Sequence, residues 1–480
     1  RIVQYMTNLY LCTRKQKKVK IHIIGMKTTK LFLSLLLAAP MEALATENVA
    51  VNTTPRYESR IDTSKVVDLD EIIVVSQPKE VLTLRRQPIS STVFTEHELT
   101  TLNINNMSQL SSLVPTMVIP QYGSRLTSST YIRGIGSRTG SSAVGVYYDN
   151  IPLVDKSAFN RYFYQTDRID VLRGPQGTLY GINAEGGIIR MYTKNPMNYQ
   201  GTDLRAGIST GMTGHVEVAH YHRPSENFAF STAVFYNGQQ GFFNNRLLDR
   251  KADKSDEAGG KVRLLFKPSK KLTFDLNADY QWVLQDAFPY GEYDTDNKIF
   301  NDPNTTFNNS YRRQMVTTGL NITYNTERLM LSSMTSYQYV DDKMTMDQDY
   351  LPEDFMRLIQ KQKMNSISQE LTLRSTGNTQ WHHTSGLFFS HKWLRTFGPV
   401  FFGDDMNKNI LSYLGMPSQV AKLMTLSENS VPGLFHTPQL NIGVYHESNI
   451  FLTNRLRLTL GLRYDYQHVE IDSATKAQFR

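Results

Sequence analysis

From about residue 200 onward, apolar and polar side chains alternate along stretches of ten or more residues. The clearest stretch is Leu272 to Trp282, and Leu456 to Tyr466 repeats it. Successive side chains of a β-strand point to opposite faces, so each stretch predicts a strand with one apolar and one charged face. Lipid outside and water or a packed domain inside would suit such a strand, although a soluble β-sandwich also alternates.

The lengths of the connections favour a membrane barrel over a sandwich. The pattern predicts about eleven strands, which begin near residues 202, 215, 228, 258, 272, 315, 329, 366, 381, 440 and 456. Tight turns alternate with long connections at 238–255, 286–312, 341–364 and 395–438, as in outer-membrane barrels. Such barrels close with even numbers, and a plugged one needs about 22 strands, so we expect roughly half of an antiparallel barrel and a truncated chain.

A glycine-rich stretch, Arg168 to Pro196, lies before this region. Short strands are predicted at Ile169 to Arg173 and Ile188 to Thr193, with turns at the glycines between them. The stretch contains no G-K-[ST] sequence, and Gly134, Gly136 and Gly140 miss the G-x-G-x-x-G spacing by one residue, which disfavours a phosphate site. A packing corner dense in glycine is the alternative that composition alone supports.

The sequence from Leu172 to Ile182, followed by N-A-E-G-G-I-I, resembles the signature of TonB-dependent outer-membrane receptors. Ile182 replaces a residue that is usually basic. The resemblance implies a transmembrane antiparallel β-barrel, residues 199–480, around an N-terminal α+β plug domain, residues 77–198. The signature residues of the plug are Gly134, Gly174, Pro175, Gly177, Tyr180, Gly181, Gly186 and Gly187.

The N-terminal 76 residues divide into three segments. Residues 26–45 combine basic residues, an apolar core and an A-x-A site, which predicts a signal peptide, and residues 1–25 before it are interpreted as a non-native upstream extension. Without them the net charge falls from +8 to about +1 and Cys12 is lost, so neither nucleic-acid binding nor a disulfide is expected. Residues 46–76 are polar and predict a flexible tether.

The tether ends in an acidic pair followed by four β-branched residues, at positions 70–76. Such a segment can add itself as a strand to the sheet edge of another protein. By resemblance it is the TonB box, the segment that binds the energy-transducing protein TonB with its inner-membrane ExbB–ExbD complex; the alternative is the first strand of the plug. The residues of the box are Asp70, Glu71, Ile72, Ile73, Val74 and Val75.

Local signals predict the secondary structure of the plug. Thr95 and Glu98 form a capping box that opens a short helix, and Met107 to Val114 predicts a second helix ended by Pro115. Strands are predicted at Thr130–Arg133 and Val144–Tyr148, the latter followed by a turn at Asp149-Asn150.

Two arginines of the plug stand beside aliphatic residues, Arg133 in I-R-G and Arg173 in L-R-G. A buried guanidinium needs a partner, because burying an unpaired charge destabilises the folded protein by roughly several kcal/mol. The resemblance implies that both pair with glutamates on the later half of the barrel's inner wall. The alternative is that they are exposed to water.

Cargo contacts are expected in the plug loops 121–129, 137–142 and 155–164. Aromatic and arginine side chains suit a planar or chelate ligand, and suit packing beneath barrel loops equally well. The candidate residues are Tyr122, Arg125, Arg138, Phe159, Tyr162 and Tyr164.

No catalytic constellation is recognisable, so we expect neither an enzyme nor a cofactor or bound metal. The resemblance implies an outer-membrane importer, with its plug and N-terminus facing the periplasm, that takes up an iron-siderophore complex as a monomer. A haem or cobalamin receptor of the same family, or a passive porin-like barrel, is the alternative.

Overall fold

The structure is a computed structural model that describes residues 79–80, 87–377, 379–413, 415, 430–431, 433–453 and 456–474. All of them belong to one structural unit that begins at Ile73. None of the helices in these ranges has the length and apolar character needed to span a membrane.

The plug has two short helices near its start, α1 (Glu96–Thr101) and α2 (Met107–Ser111). The predicted capping box of α1 is confirmed, with Thr95 accepting from the Glu98 backbone N–H and the Glu98 carboxylate accepting from the Thr95 N–H at 2.8 Å. The second helix ends before the predicted Val114. Seryl hydroxyls in its last turn bond back to backbone carbonyls, a competition with helical pairing that weakens helix ends.

The plug strands form a five-stranded and a three-stranded sheet, ordered β1-β7-β8-β5-β6 and β2-β3-β4. The predicted strand Val144–Tyr148 is confirmed, and it pairs in parallel with β8. The strands are β1 (Ser90–Thr95), β2 (Met117–Val118), β3 (Tyr131–Ile132), β4 (Ile135–Gly136), β5 (Val144–Tyr148), β6 (Ile151–Leu153), β7 (Thr166–Arg173) and β8 (Gly187–Thr193), with a 3-10 turn at Lys156–Ala158 and helix α3 at Gly177–Tyr180.

From residue 201 the chain is almost entirely β-strand. The strands are β9 (Gly201–Ser209), β10 (Thr213–Ser225), β11 (Phe228–Gln239), β12 (Asn244–Asn245), β13 (Arg250–Lys251), β14 (Ser255–Phe266), β15 (Leu272–Asp286), β16 (Tyr293–Asp294), β17 (Ile299–Phe300), β18 (Ser310–Asn325), β19 (Leu329–Asp347), β20 (Met356–Ser375), β21 (Trp381–Phe397), β22 (Val400–Phe402), β23 (Ser430–Val431), β24 (Leu434–Phe451), β25 (Arg457–Val469) and β26 (Asp472–Ala474), with helix α4 at Asp404–Tyr413.

Fourteen of these strands form one antiparallel sheet, which we call the wall. Eleven of them follow the order β9-β10-β11-β14-β15-β18-β19-β20-β21-β24-β25, while β22 pairs with β20 and β23, and β26 pairs with β24. Consecutive long strands are neighbours throughout, as in an up-and-down barrel. In the described residues β9 and β25 stand at opposite ends of this order and do not pair, so the wall is a partial barrel.

The long connections are shorter than the sequence predicts. The connection expected at 341–364 contains only residues 348–355, because β19 continues to Asp347 and β20 begins at Met356. Asp347 lies opposite Arg357 and Asp341 opposite Lys363, so the polar ends of these strands remain paired. Polar composition therefore does not end a strand where each residue has a cross-strand neighbour.

The two faces of the wall differ as the alternation predicts. In β15 the side chains of Asn277, Asp279 and Gln281 are buried, whereas Leu276 and Tyr280 are exposed on the other face. The plug lies against the polar face. One apolar cluster joins the two, since wall methionines at positions 315 and 364 pack into the plug core.

Candidate functional site: the interface between plug and wall

A buried carboxylate anchors the β5–β6 turn of the plug to the wall. Asp149 and Asn150 both have left-handed backbone conformations, with φ of 47° and 68°, which confirms the predicted turn. The turn points Asp149 at Lys261 of β14, with which it forms an ion pair, and at Thr193, whose N–H and hydroxyl both donate at 2.8 Å. Burial alone would raise the pKa of Asp149, but the cations of Lys261 and Arg263 lower that pKa to about 2.

A second buried charge pair lies one strand further along the wall. The guanidinium of Arg161 pairs with the carboxylate of Asp279 in β15, and the hydroxyl of Tyr164 donates to the same carboxylate. Arg161 also stacks on Tyr148, with its guanidinium carbon 3.7 Å from the ring centroid. Because both charges are withdrawn from water, each depends on the other for stabilisation.

Neutral and mixed contacts extend this interface. The Gln281 amide both accepts from and donates to the Tyr162 backbone at 3.3 Å. Arg313 of β18 donates to the Asn160 carbonyl at 2.9 Å, and Arg125 pairs with Glu257 of β14 at 2.7 Å. The polar face of the wall therefore holds the plug loops through several independent hydrogen-bonded groups.

The first described residues, Lys79 and Glu80, are buried between plug and wall. Lys79 pairs with Glu370 of β20 at 2.8 Å, and its carbonyl accepts from Thr384 of β21 at 2.9 Å. The Glu80 carboxylate pairs with Arg190 of β8, and the Tyr180 hydroxyl donates to that carboxylate at 2.8 Å. Burial lowers the pKa of Lys79.

Arg190 connects Glu80 to the centre of the plug sheet. Its second terminal nitrogen pairs with Asp170 of β7 at 3.0 Å. Both carboxylates and the guanidinium are almost fully buried. Removing Glu80 from this cluster would thus leave a partly compensated charge within the sheet.

The predicted signature glycines occupy turns of the plug. Gly134, Gly174 and Gly181 have φ of 78°, 116° and 72°, and Gly177 begins α3. At Gly187, which has φ of 154°, a Cβ would lie 2.3 Å from the Leu172 carbonyl oxygen. The packing corner that composition suggested is therefore present. Pro175 is exposed, and Tyr180 is buried beside Glu80.

The two arginines expected to cross to the wall take other positions. Arg133 is exposed, and Arg173 donates to the Pro115 carbonyl at 3.4 Å. Neither forms an ion pair with an acidic residue in the described part of the chain, so their pairing with later barrel glutamates stays a prediction. Two other plug arginines, Arg125 and Arg161, do pair with wall carboxylates, and both lie in loops where we expected cargo contacts.

Half of the expected cargo residues are buried instead. Phe159 lies in the plug core, Tyr162 stacks on Phe235 of β11 with ring centroids 4.4 Å apart, and Tyr164 bonds to Asp279. In this structure the wall encloses the loop that carries these three residues, and their role in binding cargo stays a prediction.

The other three cargo candidates lie near the long connections. Arg138 is exposed, and its guanidinium carbon lies 4.5 Å from the ring centroid of Tyr122. The Phe288 N–H donates to the Gly123 carbonyl at 2.8 Å, so the β15–β18 connection contacts the same loop. Their role in binding cargo stays a prediction. The predicted TonB box, Asp70 to Val75, lies outside the described residues.

Two family models match the chain and together span more than half of it. The TonB-dependent Receptor Plug Domain matches residues 83–188, and the TonB dependent receptor-like beta-barrel matches residues 266–479. The chain belongs to the TonB-dependent receptors, a family of outer-membrane β-barrel transport proteins.

Curated relatives match the chain over a limited region. The pesticin receptor of Yersinia pestis is 28% identical over 145 residues, which are 30% of this chain and 21% of that protein. The catecholate siderophore receptor Fiu of Escherichia coli is 29% identical over 123 residues, 25% of this chain and 15% of that one. The matched region thus spans about a fifth or less of these relatives.

The fold extends the likeness to most of the described chain. The crystal structure of the ferric yersiniabactin uptake receptor FyuA from Yersinia pestis aligns with a TM-score of 0.69 at 18% identity. The alignment covers 84% of this chain and 62% of that one. The identity is low, so the alignment establishes a shared fold.

Proposed function

We propose that this protein is a receptor that imports a ferric siderophore across the outer membrane, with energy delivered by TonB. Cargo binds above the plug, TonB binds the segment Asp70–Val75, and a pull on that segment rearranges the plug to open a path. The long connections face outside the cell, and the plug and N-terminus face the periplasm.

The observation that carries the proposal is the burial of Lys79 and Glu80, directly after the predicted TonB box. A pull on the box reaches these two residues first, because no other described residue lies between them and it. Lys79 is attached to the wall through Glu370, and Glu80 to the plug sheet through Arg190. Withdrawing the segment would break both ion pairs and leave two buried charges, Glu370 and Arg190, with fewer partners, a loss of about 3–5 kcal/mol for each broken pair.

We propose a ferric siderophore as cargo because the similar proteins include a catecholate siderophore receptor and a ferric yersiniabactin uptake receptor. The contact between the exposed Arg138 and the partly buried Tyr122 supports this cargo class. A catecholate is an anionic aromatic group, and a guanidinium over a ring offers both a charge and a flat surface.

The test is deletion of residues 70–75 from the whole receptor in an iron-starved strain that lacks its other siderophore receptors. We expect uptake of radioactive iron on the siderophore to be lost while binding of the same complex to cells is retained. Deleting six residues of the tether instead, Pro55 to Arg60, is the matched control and should leave uptake intact.

Uptake that survives loss of residues 70–75 would contradict an energised importer and favour a passive barrel. Uptake of haem or cobalamin in place of the ferric siderophore, lost with the same deletion, would keep the mechanism and change the cargo.

A further inference from the structure

The outer face of the wall carries a row of basic side chains near the long connections. The antiparallel register places Arg312 of β18 opposite Lys343 of β19, and Lys343 opposite Lys361 of β20. Their sequence neighbours Arg313 and Asp342 are buried on the plug side, so these three side chains point away from the plug. All three are at least partly exposed.

A second basic row lies two residues further along the strands. The register aligns Lys363 of β20 with Asp341 of β19 on one side and with Arg395 of β21 on the other. Lys363 and Asp341 form a partly exposed ion pair at 3.3 Å. The two rows together hold five cations and one carboxylate.

This arrangement is unfavourable by itself. Like charges directly opposite each other on neighbouring strands destabilise a sheet, and the first row has two such oppositions in succession. In the described residues the side chains of Arg312, Lys343 and Arg395 form no hydrogen bond or ion pair, and the Lys361 ammonium lies 5.8 Å from the Phe397 ring centroid. An anion bound across the row would remove the repulsion and supply the missing acceptors.

The position of the two rows along the strands, relative to the membrane interface, indicates which kind of anion they bind. The next outward row contains Tyr339 and Trp393, aligned through Asn365 of β20. Below it the outward side chains of β20 are mainly aliphatic, at Ile367, Leu371 and Leu373, with Gln369 between the first two. Aromatic girdles mark the membrane interface in barrels, so the cations lie about 7–14 Å beyond it, at the level of lipid phosphates.

We propose that this basic surface binds the phosphate groups of lipopolysaccharide, the phosphorylated glycolipid of the outer leaflet. Three neighbouring strands span about 10 Å and the two rows are about 7 Å apart, an area that suits more than one phosphate. The assignment to the outer leaflet rests on the proposed orientation, in which the long connections face outside.

The test replaces the first row in the whole receptor by neutral residues of similar length, Arg312→Gln, Lys343→Gln and Lys361→Gln. The matched control, Lys267→Gln, Lys270→Gln and Lys271→Gln, removes the same charge at a short turn at the opposite end of the wall. Binding is measured by titrating purified receptor with deep-rough lipopolysaccharide and counting bound lipid by native mass spectrometry.

We expect the first variant to bind at least about tenfold more weakly, since each basic residue near a membrane surface contributes about 1 kcal/mol. The control and a charge-preserving variant, Lys343→Arg with Lys361→Arg, should bind like the unaltered protein. A folded barrel is verified by its heat-dependent migration in gels.

An equal loss in the control would overturn the proposal, because the attraction would then be general. Equal binding of dephosphorylated lipid A, or of phosphatidylglycerol, would overturn it as well. Siderophore uptake is measured in parallel: reduced lipid binding with normal uptake supports the proposal, and it leaves the importer proposal to the separate deletion of residues 70–75.

Discussion

The two faces of the wall use the same residue types in opposite ways. On the inner face Asp279 is fully enclosed and serves two plug side chains, Arg161 and Tyr164. On the outer face Asp341 pairs with a single lysine, Lys363, whose side chain is 63% exposed. Strand alternation alone puts each carboxylate on its face. Only enclosure by the plug converts one of them into a contact on which the packing of two domains depends.

The difference also bears on how transport can work. Buried charge pairs contribute little net stability compared with apolar packing, but they are costly to break one partner at a time. Under the proposed import mechanism, a force that removes individual charges would loosen a plug held by such pairs in steps. Apolar contacts with the wall, such as those of Met315, are less dependent on geometry and can be re-formed in a new position.

The largest expected contrast is between two aspartates on opposite faces. Asp279→Ala leaves Arg161 buried without its carboxylate, so we expect the free energy of unfolding to fall by about 3–5 kcal/mol. Asp341→Ala removes a partly exposed ion pair with Lys363 and a 3.3 Å hydrogen bond from Tyr339, at a cost of about 0–1 kcal/mol. Urea unfolding in lipid vesicles, followed by tryptophan fluorescence, measures both. Equal losses would mean that the plug does not enclose Asp279.

A smaller contrast concerns two glutamines. Gln281→Ala removes both bonds to the buried Tyr162 backbone, which should cost about 1–3 kcal/mol because a donor and an acceptor lose their partners. Gln314→Ala, on the outer face opposite Asp341, removes an exposed side chain that forms no hydrogen bond in the described residues, so its cost should stay within about 0.5 kcal/mol. The same unfolding experiment distinguishes the two, and a similar cost for both would argue against a dry interface.

The smallest expected effect is on the free energy of unfolding at acidic pH. The pKa of Asp149 in the folded protein is about 2, below its ordinary value, so its ionised form stabilises the fold above about pH 4. That contribution should be lost as the pH falls from about 4 to about 2. We expect unfolding free energy to fall more steeply over this range in the unaltered receptor than in Asp149→Asn. Parallel slopes would show that Lys261 does not hold the carboxylate ionised.

The accuracy of the predicted strands depends on what precedes them. Strands that leave a tight turn begin where the sequence predicts, at Phe228, Leu272, Leu329 and Trp381, because turn residues mark the start locally. Strands that enter from a long connection begin earlier, as β20 does at Met356 rather than near residue 366. The residues added at the start of β20 mix apolar and polar side chains without strict alternation, and pairing with β19 keeps them extended.

The candidate site was less accessible to prediction than the fold. The inward direction of Asp279 follows from alternation, but its partner does not, since Arg161 lies far away in the sequence within a loop that has no periodicity. Aromatic residues such as Tyr162 look the same in sequence whether they face cargo or Phe235. The sequence shows a loop arginine, Arg161, and an inward carboxylate, Asp279. To predict their pairing, one would have to know which loop contacts which strand.

The sequence by itself determined the strands, their two faces, the alternation of short and long connections and the glycine turns of the plug. These follow from local physics: side-chain periodicity, turn chemistry and backbone conformation act over a few residues. Tertiary structure decided which charges meet, which loop aromatics are enclosed, and that three outward cations stand side by side. Those outcomes depend on the register between strands and on how the plug packs against the wall. Both are determined by contacts between residues that are distant in sequence.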